Sequence, residues 1–453
     1  MLEALQALLR IPTISTRVPE EWDHRAFQAF HAALREHFPL LHEHLELTRV
    51  GEYGLLFRWA GTPTERPAGA PTEPPTKRPP GTSPESPVVL MAHIDVVPVE
   101  GGQWTHPPFA GVVEDGIIWG RGALDCKASL VAICSAVEDL LGEGFVPARD
   151  VWLSFGCDEE VAGQAAPLAV EELRGRGVEP WFVLDEGGAV AYDAFPGVTS
   201  PIAVVGVTEK GITSLELRVE GRGGHASTPA RMGPTARLAR AITRLDRSAT
   251  RASIPDATVE LFRRAAPLAQ QPMRSVLTAA ARFRPLLTRL LLAAGPESAA
   301  MVRSTFAVTT LSGSPSLNVV AASATAGVNI RVMIGDTVQS VVEHVRRTIA
   351  DDQVRIRVVD AGEPSPESPV DEAFALLGAA TAEHFPEAVT APYVMMAATD
   401  ARHFTAICRR VYRFTPFEMT KKQREAIHSY DEHLSVDAYV KGVAWYRTLL
   451  TTV

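Results

Sequence analysis

The sequence is poor in the features that mark several large classes of protein. Its 453 residues include only four cysteines, at positions 126, 134, 157 and 408, and no two have the Cys-x-x-Cys spacing of a thiolate zinc site or redox motif. So few thiols favour a reducing cytoplasm, and we expect them to be buried and structural. Acidic residues outnumber basic ones by 53 to 44, giving a net charge of −9. We therefore expect no nucleic-acid partner, since nucleic-acid binding requires a basic surface.

Long apolar runs are also missing. The strongest one, residues 286–294, is short and interrupted by Arg289, whereas a membrane span needs about 20 apolar residues. The first ten residues have an acid at position 3 and apolar residues at helical spacing. A secretory signal would instead begin with basic residues and continue with a longer apolar run. The sequence predicts a cytoplasmic protein with no membrane partner.

The chain does have enough length for two domains, and its first half alternates between strand-like and helical segments. Residues 88–92, 151–155 and 181–184 have the apolar composition of buried strands, and residues 128–141 and 166–175 have helical patterns. This alternation predicts a mainly parallel sheet covered by helices. Binding sites in such sheets form beyond the carboxyl ends of the strands.

The pattern changes near residue 209, where the order becomes β-α-β-β-α-β, which is typical of a ferredoxin-like α+β domain. We predict a first catalytic part at 1–208, an inserted lid or dimerisation domain at 209–360, and a second catalytic part at 361–453. Residues 250–300 are rich in Arg, Ala and Leu and predict a helical insertion within the lid. Residues 61–87 are rich in Pro, Thr, Glu and Gly and predict an extended or disordered loop joining two neighbouring strands.

Three consecutive acids, Asp158, Glu159 and Glu160, follow the predicted strand 151–155. Side chains alternate in direction within a strand, but that constraint ends with the strand, so two consecutive carboxylates can converge. Hydrolysis at a metal uses such a pair, one acid to bind the metal and one to take a proton from its water. A solvated acidic turn would have the same three residues.

Other candidate ligands also follow predicted strands or turns. His93 and Asp95 come after strand 88–92 at positions that point to the same side of an extended chain. An imidazole that binds metal usually donates its other N–H to a carboxylate or carbonyl, and Asp95 is a candidate for this partner. Asp125 follows a turn containing two glycines and precedes a helix. It would serve either as a helix N-cap or as a carboxylate between two cations.

Two further candidates complete a metal-ligand set. Asp185 follows strand 181–184, and His428 lies late in the chain, where His433 is a rival. Two imidazoles and three carboxylates suit two divalent ions such as zinc, with one acid bridging them. The full candidate set is His93, Asp125, Glu160, Asp185 and His428.

The ordered motifs resemble those of the co-catalytic zinc peptidases, a family that includes carboxypeptidase G, carboxypeptidase S, aminoacylase and the succinyl-diaminopimelate desuccinylases. The motifs are His-x-Asp, Gly-Arg-Gly-x-x-Asp-x-Lys, Asp-Glu-Glu, Asp-Glu-Gly-Gly, Gly-Gly-His-Ala-Ser-x-Pro and a late His. The Leu-Asp-Glu-Gly-Gly form is most similar to the carboxypeptidase S-like branch. The resemblance covers nearly the whole chain and implies a zinc-exopeptidase-like catalytic domain with an inserted lid.

The resemblance implies a role for each ligand. His93, Asp125 and Asp185 would hold one zinc ion, and Asp125, Glu160 and His428 the other, with Co²⁺ or Mn²⁺ as substitutes. It also implies that Asp95 orients His93, that Glu159 is the general base and acid, and that the peptide bond after Asp125 is cis.

The lid motifs carry further implications. The resemblance implies that His225 helps to hold the oxyanion, often across the interface of a homodimer formed through the lid, and that Asn318 lies near the substrate. Arg331 and Arg402 resemble arginines that bind a substrate carboxylate, which a guanidinium grips through two hydrogen bonds. A surface ion pair is the alternative for each arginine.

These features predict a dinuclear zinc hydrolase that cleaves a peptide or amide bond next to a free carboxylate, as a carboxypeptidase or dipeptidase does. An N-acyl amino acid hydrolase of the aminoacylase or desuccinylase type is the alternative within enzymes. The alternative from another class is a non-catalytic binding protein on the same fold. A complete ligand set together with Glu159 disfavours it, since a degenerate copy usually lacks one of these residues.

Overall fold

The computed structural model of this chain describes residues 1–62, 86–194 and 197–453. The strands, labelled in chain order, are β1 (Glu46–Val50), β2 (Gly54–Trp59), β3 (Val88–His93), β4 (Val112–Glu114), β5 (Ile117–Trp119), β6 (Val151–Gly156), β7 (Phe182–Asp185), β8 (Ala189–Ala191), β9 (Ile202–Glu209), β10 (Gly211–Glu220), β11 (Gly224–His225), β12 (Thr305–Ser312), β13 (Val319–Val320), β14 (Ser323–Val332), β15 (Val354–Ala361), β16 (Val389–Met395), β17 (Val411–Arg413), β18 (Glu418–Met419) and β19 (His433–Ser435).

The helices, labelled in the same way, are α1 (Leu2–Leu9), α2 (His24–His37), α3 (Pro39–His44), α4 (Lys127–Gly142), α5 (Ala165–Gly175), α6 (Pro234–Asp246), α7 (Asp256–Ala265), α8 (Met273–Arg282), α9 (Arg284–Ala293), α10 (Pro296–Ala300), α11 (Val338–Ile349), α12 (Glu372–His384), α13 (Ala401–Phe404), α14 (Lys421–Ala426) and α15 (Val436–Thr452).

The largest sheet has the order β1-β2-β6-β3-β7-β17-β9-β8-β18, and β16 pairs with β9. Its centre is parallel, because β3 runs parallel to both β6 and β7, and β7 runs parallel to β17. Every residue of β3 and β6 is buried, as expected for strands covered by helices on both faces, with α4 and α15 on one face and α5 and α13 on the other. The predicted helix-covered, mainly parallel sheet is confirmed.

The order of the strands corrects one expectation about the loop at 61–87. Strands β2 and β3, which flank it, are not neighbours, because β6 lies between them. Strand β6 pairs antiparallel with β2 and parallel with β3, so a strand from later in the chain fills the intervening position. Residues 63–85 of the loop lie outside the described residues.

A second sheet forms the lid and has the order β12-β14-β10-β15, with antiparallel pairing throughout. Together with α6 and α11 it follows the β-α-β-β-α-β order, so the ferredoxin-like prediction is confirmed. Alternate residues of β14 are buried against these helices, as the period of two requires. Thr337 caps the N-terminus of helix α11, and its hydroxyl accepts the N–H of Ser340 at 3.1 Å.

Helices α7 to α10 lie between α6 and β12, in the region where the sequence predicts a helical insertion. They form an apolar core of their own with residues of β9 and β16. None of the helices within the described residues is both long and apolar enough to cross a membrane. The four cysteines are buried and free, as expected.

Candidate metal centre and active site

The carboxyl ends of three parallel strands meet at one edge of the main sheet. Strand β3 ends at His93, β6 ends at Gly156 and β7 ends at Asp185, and His93 pairs directly with Gly156. The predicted ligands lie at these ends or in the turns that follow, so this edge of the sheet is where they are brought together.

Asp125 lies at the centre of the resulting cluster. Its Oδ1 atom is 2.8 Å from Nε2 of His93, and its Oδ2 atom is 3.1 Å from Nε2 of His428. The same His428 nitrogen is 3.0 Å from Oε2 of Glu160. Hydrogen bonds to Asp125 and Glu160 raise the pKa of His428 to about 10. Four of the five predicted ligands therefore contact one another directly.

The turn before Asp125 is held by a carboxylate from the far end of the chain. Glu432 is fully buried and accepts the backbone N–H groups of Gly122, Leu124 and Asp125 at 2.7–3.1 Å. It also pairs with Arg121 at 2.6 Å. The peptide bond after Asp125 is cis, in agreement with the resemblance.

The buried carboxylate of Asp95 holds the turn that carries the two glutamates. Its oxygens accept the N–H groups of Glu159 and Glu160, each at 3.2 Å, and the hydroxyl of Ser15 at 2.6 Å. The Nδ1 atom of His93 is 2.9 Å from the backbone carbonyl oxygen of Asp95 and 3.4 Å from its carboxylate. Asp95 thus contacts His93 mainly through its carbonyl group, while its carboxylate fixes Glu159 and Glu160.

Glu159 and Glu160 lie in a single turn of 3₁₀ helix, Glu159–Val161, directly after β6. Burial raises the pKa of Glu159 well above its ordinary value, and the nearby carboxylates of Asp400 and Glu186 raise it further. The Oε1 atom of Glu160 is buried and has no hydrogen-bond partner among the residues that the structure describes. A bound cation would satisfy this atom.

Asp185 is the predicted ligand that the structure does not bring into the cluster. Its two carboxylate oxygens accept the N–H groups of Glu186 and Ala401, both at 2.9 Å. The carboxylate of the next residue, Glu186, reaches the cluster instead. Glu186 was not among the predicted ligands, although it is the second residue of the Asp-Glu-Gly-Gly motif.

The described residues form two groups whose ligand atoms lie within 4.8 Å of one another. One group contains His93, Asp125, Cys126 and Glu186, and the other contains Asp125, Glu160 and His428. The shared carboxylate and the mixture of imidazole and carboxylate donors fit two divalent ions bridged by one acid. Burial raises the pKa of the Cys126 thiol well above its ordinary value, which disfavours the thiolate form that binds metal.

His428 rather than its rival His433 contributes to the second group. His433 lies in β19, and its ring packs against the ring of Trp119 at a centroid distance of 4.5 Å. Its Nδ1 atom is 2.6 Å from the carbonyl oxygen of Asp431. These contacts identify His433 as a packing residue of a separate three-stranded sheet, which has the order β19-β5-β4.

His225 and Asn318 lie together on the lid, where β11 pairs with β13. The N–H of Ala226 donates to the carbonyl oxygen of Asn318 at 3.1 Å, and both predicted side chains are exposed. The Nδ1 atom of His225 contacts the hydroxyl of Ser227 at 2.8 Å. Neither side chain belongs to a metal-ligand group of the described residues.

The two predicted carboxylate-binding arginines lie on different parts of the fold. Arg331 is on β14, on the face of the lid sheet that α6 and α11 leave open, and it lines a cavity of about 630 Å³. Arg402 is on α13 and donates to the carbonyl oxygen of Thr399 at 2.8 Å. Its neighbour Ala401 donates to Asp185, so Arg402 lies beside the candidate site.

The sheet, the lid and the two ligand groups that share Asp125 define a metal-dependent hydrolase. The model of peptidase family M20/M25/M40 matches residues 89–452, which is well over half of the chain. The chain belongs to this family.

Individual relatives agree with this assignment. The chain is 33% identical over 446 residues to a probable carboxypeptidase S-like 2 of Dictyostelium discoideum, covering 97% of this chain and 82% of that protein. It is 34% identical over 457 residues to the human N-fatty-acyl-amino acid synthase/hydrolase PM20D1, covering 99% and 87% of the two chains. The resemblance to carboxypeptidase S-like proteins is confirmed.

A solved structure shows the same fold. The M20 family metallo-carboxypeptidase Sso-CP2 from Sulfolobus solfataricus has a TM-score of 0.67 and 18% sequence identity to this chain. The match covers 99% of this chain and 98% of that one.

Proposed function

We propose that this chain is a dinuclear zinc hydrolase that cleaves a peptide or amide bond next to a free carboxylate. The observation that carries the proposal is the pair of ligand groups sharing Asp125, with Glu159 next to the ligand Glu160 in the same turn. The orphaned oxygen of Glu160 supports it, because a buried carboxylate oxygen without a partner is costly unless a cation binds it.

Each ion has three protein ligands in this proposal. His93, Asp125 and a carboxylate from the Asp185–Glu186 pair hold one ion, and Asp125, Glu160 and His428 hold the other. We expected Asp185 from the sequence, but we assign the role to Glu186, because its carboxylate lies within 4.8 Å of the ligand atoms of His93 and Asp125. Zinc suits this donor set, and Co²⁺ or Mn²⁺ would substitute.

The bound ions would supply a water of lowered pKa and polarise the substrate carbonyl. Glu159 accepts a proton from the attacking water and returns it to the leaving amine. Its raised pKa favours this double role, since a carboxyl group of ordinary acidity would hold a proton too weakly to deliver it. Asp95 keeps Glu159 in place by accepting its backbone N–H.

The lid would supply the contacts to the rest of the substrate. Arg331 or Arg402 binds the free carboxylate, Asn318 lies near it, and His225 helps to hold the oxyanion. The names of the relatives include both a carboxypeptidase S-like protein and an N-fatty-acyl-amino acid synthase/hydrolase. Dipeptides and N-acyl amino acids share an amide next to a free carboxylate, so both classes fit the proposal.

We also propose a cytoplasmic location and a homodimer formed through the lid. The four free, buried thiols support the first, because they need no oxidising compartment. The exposed edge strand β12, with Leu311 on its surface, supports the second, since exposed sheet edges favour pairing with another chain.

A substrate screen tests the function. Protein freed of metal with a chelator and then reconstituted with zinc is assayed on dipeptides, N-acyl amino acids and their carboxyl-amidated analogues. We expect about two ions per chain, hydrolysis that depends on them, and a strong preference for the free acids. Glu159→Gln is expected to retain both ions while turnover falls roughly 10²–10⁴-fold.

The matched control is Glu171→Gln, which changes an exposed glutamate on α5 and is expected to behave as wild type. A Glu159→Gln protein with more than about a tenth of wild-type turnover would exclude Glu159 as the base. An active protein free of divalent ions would refute the class of mechanism.

A further inference from the structure

The apolar stretch that is too short to span a bilayer lies on the surface of the protein. It forms most of α9, and only two of its leucines, Leu287 and Leu291, are buried in the core of the helical insertion. Four large apolar side chains beside them are exposed: Phe283 by 65%, Leu286 by 45%, Leu290 by 39% and Leu292 by 37%. The insertion therefore presents apolar surface that its own core does not use.

Two of these side chains, Leu286 and Leu290, lie on one side of α9, because they are four residues apart in the helix. Phe283 directly precedes the helix and lies at the N-terminal end of this apolar stripe, whereas Leu292 points to another side of the helix. The stripe flanks the buried face rather than forming part of it, because Leu287 and Leu291 are each one residue further along the helix. Isolated exposed leucines need no explanation, but a contiguous stripe marks a binding surface.

The same segment is strongly basic in an acidic protein. Residues 261–296 contain six arginines and no acid, whereas the whole chain has a net charge of −9. Three of the arginines pair with acids that precede the segment, as in Arg284 with Asp256. Arg282 and Arg289 form no ion pair within the described part of the chain. Arg289 is three residues after Leu286, so it lies beside the apolar stripe.

The combination of an apolar stripe and free cations selects one kind of partner. A second copy of this surface would bring like charges together, and a nucleic acid would leave the apolar side chains uncovered. At the boundary between the headgroups and the acyl chains of a membrane, anionic headgroups would attract the arginines and the acyl chains would cover the apolar side chains.

We propose that α9, with Phe283, Leu286, Leu290, Arg282 and Arg289, binds peripherally to the surface of a bilayer that contains anionic phospholipid. The helix lies in the plane of the interface and does not cross it. This proposal revises the expectation of no membrane partner, which depended on the length required for a span. It does not rest on the proposed catalytic function.

Flotation with phospholipid vesicles tests the proposal. Purified full-length protein is mixed either with vesicles of phosphatidylcholine alone or with vesicles in which about 30% of the lipid is anionic phosphatidylglycerol. We expect binding to the anionic vesicles and weaker binding at high salt, because headgroup attraction is screened. In a Phe283→Trp variant, the emission maximum is expected to shift to shorter wavelength on binding.

Two sets of substitutions separate the contributions. Serine at positions 283, 286 and 290 is expected to lower vesicle partition by at least about 100-fold. Arg282→Ser with Arg289→Ser is expected to lower it roughly 25-fold, at about fivefold for each cation. The control is Val146→Ser, which removes a similarly exposed apolar side chain outside the helical insertion and is expected to leave binding unchanged. Thermal unfolding of each variant confirms that it is folded.

Failure of the wild-type protein to bind anionic vesicles would overturn the proposal. Binding that the triple serine variant retains would overturn it as well. A wild-type dimer that becomes monomeric in the triple variant, without vesicle binding by either protein, would assign the surface to self-association instead.

Discussion

Asp185 and Glu186 are adjacent in the chain, but their carboxylates contact different groups. Asp185 accepts two backbone N–H groups and thereby ties the end of β7 to the start of α13. The carboxylate of Glu186 belongs to the cluster, where burial raises its pKa well above the ordinary value and the carboxylates of Asp125, Asp185 and Glu160 raise it further. A carboxylate with two N–H donors is partly stabilised by them, whereas a buried carboxyl group among other acids is protonated unless a cation binds it.

Substitution of each residue separates these roles. Glu186→Gln is expected to lose about one of the two ions per chain, because an amide oxygen is a weaker ligand than a carboxylate. Asp185→Asn is expected to keep both ions but to lower the free energy of unfolding by about 1.5–3 kcal/mol, since charge-assisted hydrogen bonds are lost. Metal analysis by mass spectrometry and urea unfolding measure the two effects. Loss of an ion from Asp185→Asn alone would return the ligand role to Asp185.

The sequence predicted the residues of the cluster better than their orientations. Motif order identified His93, Asp125, Glu160 and His428, and these side chains contact one another. The choice between Asp185 and Glu186 required the backbone, because side-chain alternation stops predicting direction at the end of a strand. The contact of His93 with a carbonyl oxygen also depends on a local turn that residue spacing does not specify.

At the scale of elements, one buried ion pair connects the turn before α4 to the segment before α15. Glu432 binds Arg121 and three backbone N–H groups, and Arg121 also donates to the carbonyl oxygen of Ser429. The pair therefore positions Asp125 and His428 relative to each other, although they are far apart in sequence. In the Gly-Arg-Gly-x-x-Asp-x-Lys motif, only Asp125 was assigned a role from the sequence. The pairing of Arg121 with Glu432 could not be predicted, because the partner of a buried arginine is not evident from sequence.

A double-mutant cycle measures this connection. Arg121→Ala and Glu432→Ala are each expected to lower the free energy of unfolding by roughly 3–5 kcal/mol, because each leaves a buried charge without its partner. The double variant is expected to lose less than the sum of the two, since no unpaired charge remains. Urea unfolding of the metal-free proteins measures the coupling. The exposed pair Arg447–Glu143, also at 2.6 Å, is the control and is expected to show little coupling.

Elements were easier to predict than their arrangement. Apolar composition predicted β3 and β6 to within one residue of their observed bounds. The position of β6 between β2 and β3 was not predicted, because pairing between strands depends on long-range packing rather than on local pattern. Neighbouring strands are often consecutive in sequence, and this sheet is an exception.

At the scale of the whole molecule, two adjacent segments join the lid to the main sheet. Only Lys210 separates β9 of the main sheet from β10 of the lid. The returning chain runs alongside, since Ser365 donates its N–H to the carbonyl oxygen of Glu209 at 3.1 Å. The buried pair of Glu209 and Arg413 anchors this junction on the main-sheet side. Helices α7 to α10 of the insertion also pack against β9 and β16, so the lid contacts the main sheet at a second place.

The exposure of His225 has a consequence for the assembly. His225 lies on the lid and contacts Ser227, whereas the ligand groups lie at the edge of the main sheet. An oxyanion role therefore requires either closure of the lid or a second chain that supplies the histidine. The proposed homodimer offers the second route, and the two routes predict different behaviour when inactive variants are mixed.

Complementation between Glu159→Gln and His225→Ala distinguishes the two routes. If His225 acts across the dimer interface, a mixed dimer contains one site with both residues intact. An equal mixture of subunits that exchange freely then recovers about a quarter of wild-type activity in a two-fold symmetric dimer. If His225 acts within its own chain, no intact site forms and the mixture stays inactive. Activity is measured after unfolding and refolding the variants together, and each variant refolded alone is the control. Sedimentation that shows only a monomer would exclude the route across the interface.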